Sequence, residues 1–299
     1  MPQVTVNGVS LEYVSEGDPS NTTILLVMGL GTQLTGWPDA FCQHLVDLGY
    51  HVLRFDNRDI GLSTRLTDHG TPNIPALVLR KTLRLPVRVG YELTDMAEDA
   101  VALLDALDIP AAHVVGASMG GMIAQLMAAN HPERVLSLTS IMSTTGHRSL
   151  PHGEREAMKA LTLRPDDPDC MDSVLERNTR VRKALQSRSY PKDDDEIRAT
   201  AKAALDRGGY HPDGVARQLA AIIAAPHRRR LLEQVQQPSL VIHGDEDPLV
   251  RVECGIDTAE CLPRAELLVL PGMAHDFPTH LLERIARAIH DTAQRATTA

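Results

Sequence analysis

The chain reads as an α/β protein: a mostly parallel eight-stranded sheet flanked by helices and interrupted by a helical insertion. Three observations predict this. Short, continuous apolar runs alternate with amphipathic ones over residues 1–142 and again over 236–299, as expected of parallel strands covered on both faces by helices. Between them, Ser143 to Val235 is polar, charged and helical in pattern, with no buried strand. In "HVVGASMGG", from His113 to Gly121, an apolar strand gives way to a helix across a Gly-x-Ser-x-Gly turn. The predicted organisation is therefore a first core segment, 1–142, a helical segment, 143–235, and a second core segment, 236–299.

The elements follow in order. "QVTV" and "VSLEYVS" are strands joined by Asn7-Gly8, a hairpin turn pair. "TTILLVM" is a third strand ending at the glycine-rich "GLGTQ". "DAFCQHLVDLG" is an amphipathic helix with Phe41, Leu45 and Leu48 on one face and Gly49 as its stop. "YHVLRFD" is a buried strand closing in the loop "DNRDIGLST". "IPALVLRKTLRLPVRVGY", Ile74 to Tyr91, fits neither pattern. It is apolar with regularly spaced Arg and Lys and breaks at Pro86, and packing over a pocket mouth is expected, with a membrane-surface helix as the alternative. "TDMAEDAVALLDALDIP" is a helix capped by Thr94, with Asp95 and Glu98 at its positive end and Ala97, Val101 and Leu104 on one face. "HVVGAS", "MGGMIAQLMAANHP" and "RVLSLTSIM" continue as strand, helix and strand. After the insertion come the strand "PSLVIHGD", a helix around Val252 to Cys261, the strand in "AELLVLPGMAHD" and a last helix from His280.

Composition narrows the function. An apolar fraction of 43% can build a sizeable core, and no apolar stretch approaches the ~20 residues of a membrane helix. The first residues lack a basic region followed by an apolar core, so a secretory signal is not expected and a cytoplasmic protein is. A net charge of −9 argues against a nucleic-acid or anionic-membrane surface as partner. The arginines of "HRRR", His227 to Arg230, are read as a solvated helix face. Cys42, Cys170, Cys254 and Cys261 are scattered, without CxxC and without a histidine at metal spacing, which predicts reduced thiols and no metal. With aromatics at 3%, a pocket should be lined mostly by Leu, Met, Val and Ala.

The chemistry centres on Ser118. Gly116 and Gly120 remove side chains that would collide at the sharp strand-to-helix turn, which lifts the Ser118 hydroxyl clear of the backbone. An unassisted serine hydroxyl is a poor nucleophile, so a base and an orienting acid are needed, and on an open α/β sheet they should follow on the loops after later strands. "HGDEDPLV" offers Asp245, Glu246 and Asp247; "PGMAHDF" offers His275. Asp247 precedes Pro248, which biases it to an extended or turn conformation. Asp245 follows Gly244 directly and suits bonding to loop amides, while Glu246 is expected to face solvent. Of thirteen histidines, His275 alone follows a strand and a glycine turn at the right place. His243 is expected to be a packed or hydrogen-bonded partner, His113 and His131 structural, His280 and His290 solvated. The oxyanion needs two preorganised donors, expected to be the backbone N–H groups of Met119 and Leu30, with Gly29 and Gly31 letting the backbone approach the substrate. "GLGTQL" is not a dinucleotide fingerprint, because it lacks the third glycine and opens no helix.

Taken in order, "MGLG", "DNRDIGLS", "GASMGG", "HGDEDPLV" and "PGMAH" resemble the α/β-hydrolase superfamily over nearly the whole chain. Within it, "VMGLGTQLTGWPDAF" and "RFDNRDIGLST" are similar to aclacinomycin methylesterase and related bacterial esterases. The resemblance implies that the helical insertion is a cap. It also implies a serine hydrolase that cleaves small-molecule carboxylic esters through Ser118, His275 and Asp247 and an acyl-enzyme, with no cofactor. In the family's pattern the acid lies three residues after the glycine, again Asp247. Met28 departs from the histidine many members carry, the Ile74 to Tyr91 stretch is long for the methylesterases, and the insertion matches no family motif. The same triad serves perhydrolases, cofactor-free haloperoxidases and carbon–carbon bond hydrolases, and a ligand-binding protein on this fold is the alternative of another class. An epoxide hydrolase or haloalkane dehalogenase would resemble a variant with Asp at the elbow, which Ser118 argues against. Acyl and alcohol specificity and the oligomeric state, a homodimer or otherwise, are left open.

Overall fold

The computed structural model describes residues 2–297. The eight predicted strands all form: β1 (Gln3–Val6), β2 (Val9–Glu16), β3 (Thr23–Val27), β4 (His51–Phe55), β5 (Ala112–Ala117), β6 (Val135–Ile141), β7 (Ser239–Gly244) and β8 (Ala265–Leu270). They make one sheet in the order β1-β2-β4-β3-β5-β6-β7-β8, with β2 antiparallel to both neighbours and every pair from β4 to β8 parallel. Asn7 and Gly8, at φ 49° and 77°, make the tight turn between β1 and β2. Strands β3, β4, β5 and β7 are buried at every residue, which is why they read as unbroken apolar runs, whereas β8 closes the edge half-exposed.

The helices are α1 (Asp39–Asp47), α2 (Ile74–Thr82), α3 (Leu93–Ala106), α4 (Met119–Asn130), α5 (Arg155–Leu161), α6 (Met171–Leu185), α7 (Asp194–Gly208), α8 (Pro212–Ala224), α9 (Arg229–Leu232), α10 (Val252–Cys261) and α11 (Leu282–Thr297). One apolar cluster joins the sheet to α3 and α4 through residues such as Leu93, Ala97, Leu104 and Ile123; a second joins the other face to α1 and α11 through Trp37, Phe41, Leu45, Ile285 and Ile289. This two-faced burial is what the alternating pattern demanded. Helices α5 to α9 lie between β6 and β7, and α6 and α7 share a small core of Val174, Leu175, Ala201 and Leu205. No helix among the described residues is long and apolar enough to cross a membrane.

Three local expectations need correction. Thr94 does not cap α3: the helix starts at Leu93 after Glu92, whose amide donates to Asp95 Oδ2 at 2.7 Å, so a side chain inside the first turn takes over the capping. Arg228, in "HRRR", is not solvated. It is 2% exposed and donates to Gln125 Oε1 and to the carbonyl oxygens of Thr144 and Pro226, and burial lowers its guanidinium pKa to about 10. His290 is half-buried against Tyr50, whose hydroxyl it meets at 3.0 Å through Nδ1. The Ile74 to Tyr91 stretch is a helix ending at Thr82, before Pro86, with Arg84 left-handed at φ 56°. It buries Leu77, sends Lys81 Nζ to the carbonyls of Ala224 and Ala225 at the end of α8, and leaves Val78, Leu79, Leu83 and Leu85 exposed.

Candidate active site

Ser118 stands between β5 and α4 at φ 56°, ψ −119°, a conformation a serine rarely adopts. The turn leaves no space for side chains beside it. A Cβ on Gly116 would lie 2.1 Å from the Gly120 carbonyl oxygen, and one on Gly120 would lie 2.0 Å from that of Val27. The strained residue is pinned at both ends: its amide donates to the Ile141 carbonyl at 2.9 Å and its carbonyl accepts from the Ser143 hydroxyl at 2.7 Å.

The loops after β7 and β8 bring the acid and the imidazole to this serine. His275 Nε2 is 3.0 Å from Ser118 Oγ, and His275 Nδ1 is 2.8 Å from Asp247 Oδ2. Because the carboxylate only accepts, Nδ1 carries the hydrogen and Nε2 is left to accept the serine proton. Asp247 is 1% exposed, and its Oδ1 takes the amides of Leu249 and Val250, both at 2.8 Å, so the turn through Pro248 locks the carboxylate in place. Burial alone would raise its pKa, but the charge of His275 and the hydrogen bonds from His243 and His275 outweigh burial and leave the carboxyl below the usual range. His243, buried on β7, meets the Val250 carbonyl at 2.7 Å and lies 3.6 Å from Asp247 Oδ2.

The neighbouring carboxylates are placed differently. Asp245 accepts the Gly272 amide at 2.7 Å, the loop-bonding position expected of it. Glu246 is half-exposed and also accepts from the exposed Ser189 hydroxyl at 2.7 Å, which ties the loop after β7 to the segment following α6. His113 bonds Ser137 Oγ inside the sheet, His131 pairs with Glu98, and His280 is exposed.

Across from His275 lies the loop after β3. A Cβ on Gly29 would come within 3.0 Å of Ser118 Cβ and 3.6 Å of its Oγ, so glycine lets this loop lie against the serine without displacing it. Gly31, at φ 63°, faces the other way, toward Val215 on α8. Met119 opens α4, where a first-turn amide has no acceptor within the helix. The loop is backed by Asn57, whose Nδ2 donates to the Met28 carbonyl at 2.9 Å, and by Gln218 of α8, which accepts the Gly31 amide at 2.8 Å. Neither residue was singled out from sequence. Asn57 lay inside the conspicuous polar run "DNRD" directly after a strand, a usable signal, whereas Gln218 sits in an unremarkable helix.

Known proteins share this frame. A model of the alpha/beta hydrolase fold family matches residues 22–278. The chain is 28% identical to the rhodomycin D methylesterase DnrP of Streptomyces peucetius over 98% of each protein. Among solved structures it resembles a meta-cleavage product hydrolase of Pseudomonas fluorescens, with a TM-score of 0.76 and 18% identity over 99% of this chain and 98% of that one. An enol-lactonase of Burkholderia xenovorans gives a TM-score of 0.72 at 20% identity, covering 98% of this chain and 100% of that one. The family match runs from the edge of β3 to just beyond His275, the same span that carries the serine turn and all the loops around it, and the chain belongs to the α/β-hydrolase fold family.

Proposed function

We propose that the protein is a serine hydrolase of small-molecule carboxylic esters. One observation carries the reading: a hydroxyl on a strained turn, an imidazole and a buried carboxylate are joined in a single line at 3.0 and 2.8 Å. In that line His275 takes the Ser118 proton as Oγ attacks the ester carbonyl, and Asp247 holds the imidazole in the productive tautomer and balances its charge. The amides of Leu30 and Met119 hold the negative oxygen of the tetrahedral intermediate. His275 then hands its proton to the departing alcohol, and a water activated by the same imidazole cleaves the acyl-enzyme. No step calls for a cofactor. The segment over 143–235 acts as a cap, because its helices α7 and α8 meet the loops beside Ser118. The similarity to a methylesterase over nearly the full chain supports an ester as the substrate class.

Ser118→Ala tests the reading. The folded variant should lose ester turnover by ~10⁴ or more and should no longer be labelled by a fluorophosphonate. Retention of more than about a tenth of wild-type turnover removes Ser118 as the nucleophile. A panel of methyl esters, lactones and p-nitrophenyl esters, run with and without peroxide and halide, separates ester hydrolysis from perhydrolysis. Labelling without turnover on any substrate would identify a binding protein instead.

A further inference from the structure

The Gly29-Leu30-Gly31 turn carries two consecutive amides, those of Leu30 and Gly31, either of which could face a substrate oxygen. The structure treats them differently. The Gly31 N–H is occupied by Gln218 Oε1 at 2.8 Å. Gln218 is fully buried on α8, and its Nε2 donates to the Arg58 carbonyl at 2.8 Å, so both ends of its amide are used and it has one orientation. The Leu30 carbonyl accepts from the Thr32 hydroxyl at 3.2 Å, and the Gly29 carbonyl accepts from the Thr32 amide at 3.2 Å. The peptide between Leu30 and Gly31 is thus held at its carbonyl and at its N–H. The peptide between Gly29 and Leu30 is held at its carbonyl, which in a planar trans unit directs the Leu30 N–H to the opposite side. A turn with glycine on both sides of one residue has little intrinsic resistance to flipping a peptide plane. Something outside the turn must choose its state.

We infer that Gln218 is that choice: a positioning residue that, from the helical segment, takes up the Gly31 amide and commits the turn to presenting the Leu30 amide beside Ser118. The inference rests on the ester-hydrolase reading. It makes the oxyanion site conditional on the seating of α8. That helix is seated by the neighbouring residue as well, since Arg217 pairs with Asp59 at 2.7 Å.

Two variants test it. Gln218→Met keeps the volume and loses both hydrogen bonds; Gln218→Glu keeps the acceptor for Gly31 and loses the donor to Arg58. The readouts are kcat and KM on p-nitrophenyl acetate and the affinity of an arylboronic acid, which forms a tetrahedral adduct on the serine. Gln218→Met should lower kcat about ten- to a hundredfold and weaken the boronate by a similar factor, with KM changed by less than about threefold. Gln218→Glu should recover most of both losses. A merely structural role would lower the melting temperature without moving the boronate affinity. Wild-type kcat and boronate affinity in Gln218→Met, a loss confined to KM, or a Gln218→Glu enzyme as impaired as Gln218→Met would each overturn the inference. Should Gln218→Met fail to fold, Gln218→Asn, one carbon too short to reach Gly31, carries the same expectations. Ser118→Ala is assayed alongside. Turnover that survives in Ser118→Ala removes the hydrolase reading, whereas turnover lost there but untouched in Gln218→Met removes only the role of Gln218.

Discussion

The two walls of the site are held by different physics. On the side of the Gly29-Leu30-Gly31 loop, the helical segment and the loop after β4 meet through buried ion pairs: Arg217 with Asp59 and Arg207 with Asp56, each at 2.7 Å, backed by Arg58 with Asp99 at 2.6 Å. On the His275 side, the end of α6 and the stretch after it meet the loops after β7 and β8 through uncharged donors, of which Ser189 is nearest to solvent. The His275 amide reaches the Leu185 carbonyl at 3.1 Å, the Ser187 amide reaches Asp276 at 3.1 Å, and the Ser189 hydroxyl reaches Glu246 at 2.7 Å. A buried ion pair contributes little net stability when intact but costs several kcal/mol when one partner is removed, because the other charge is stranded. A half-exposed hydroxyl-to-carboxylate bond is replaced by water at little cost. The wall beside the Gly29-Leu30-Gly31 turn is therefore all-or-none, whereas the His275 wall can lose its solvent-facing Ser189 contact without collapse.

Five substitutions would break or sharpen that contrast. The largest effect is expected at Asp247, the buried carboxylate on the His275 wall. Asp247→Asn should keep the fold and lower kcat by ~10⁴, since an amide favours the wrong imidazole tautomer. Asp245→Asn, exposed and bonded only to a loop amide, should cost about 1 kcal/mol of stability and little activity. The comparison is kcat of the two variants at one pH; if Asp245→Asn is the deader enzyme, the orienting acid has been misassigned.

Next comes Asp59→Ala, which strands Arg217 inside the wall beside the Gly29-Leu30-Gly31 turn. Urea denaturation should show a loss of about 3–5 kcal/mol. A loss below about 1 kcal/mol would mean that this pair does not seat α8.

The fourth lies beneath both walls. His113 is 1% exposed, and burial lowers its pKa from 6.5 to about 4. The unfolded chain therefore takes up a proton as pH falls below about 6.5 while the native state does not, so stability present above that pH is lost on the way down to about 4. The loss attributable to this residue is roughly 3 kcal/mol. His113→Gln should flatten the stability profile across that interval, and parallel profiles for variant and wild type would dismiss the account. The smallest effect is Ser189→Ala, expected to stay within about 1 kcal/mol by thermal melting. A loss as large as that of Asp59→Ala would erase the distinction between the walls.

How much of this was legible depended on whether the governing contact was local. The elbow was, because Gly116 and Gly120 lie within two residues of the serine they accommodate and the collision they avoid belongs to the turn itself. The turn that sets Asp247 apart from Asp245 was legible through Pro248, the next residue. Arg228 was misread because it is partnered across the fold, by a glutamine 103 positions away. Composition treats such residues as solvated until the partner is known. Thr94 was misread for a subtler reason: several polar residues compete at the start of α3, and side-chain reach decided for Asp95.

By itself, the sequence determined the strand count, the parallel sheet, the place of the helical segment and the chain order of Ser118, Asp247 and His275. Those follow from periodicity, from glycine at a crowded turn and from residues only a few positions apart. Only the tertiary structure decided which amide of the Gly29-Leu30-Gly31 turn is occupied, by a glutamine 187 residues away, and which charges are buried against one another. The physical reason is one of range. Backbone sterics and hydrophobic pattern act over a turn or a strand, whereas a buried hydrogen bond or ion pair has meaning only once folding has chosen the two surfaces that meet.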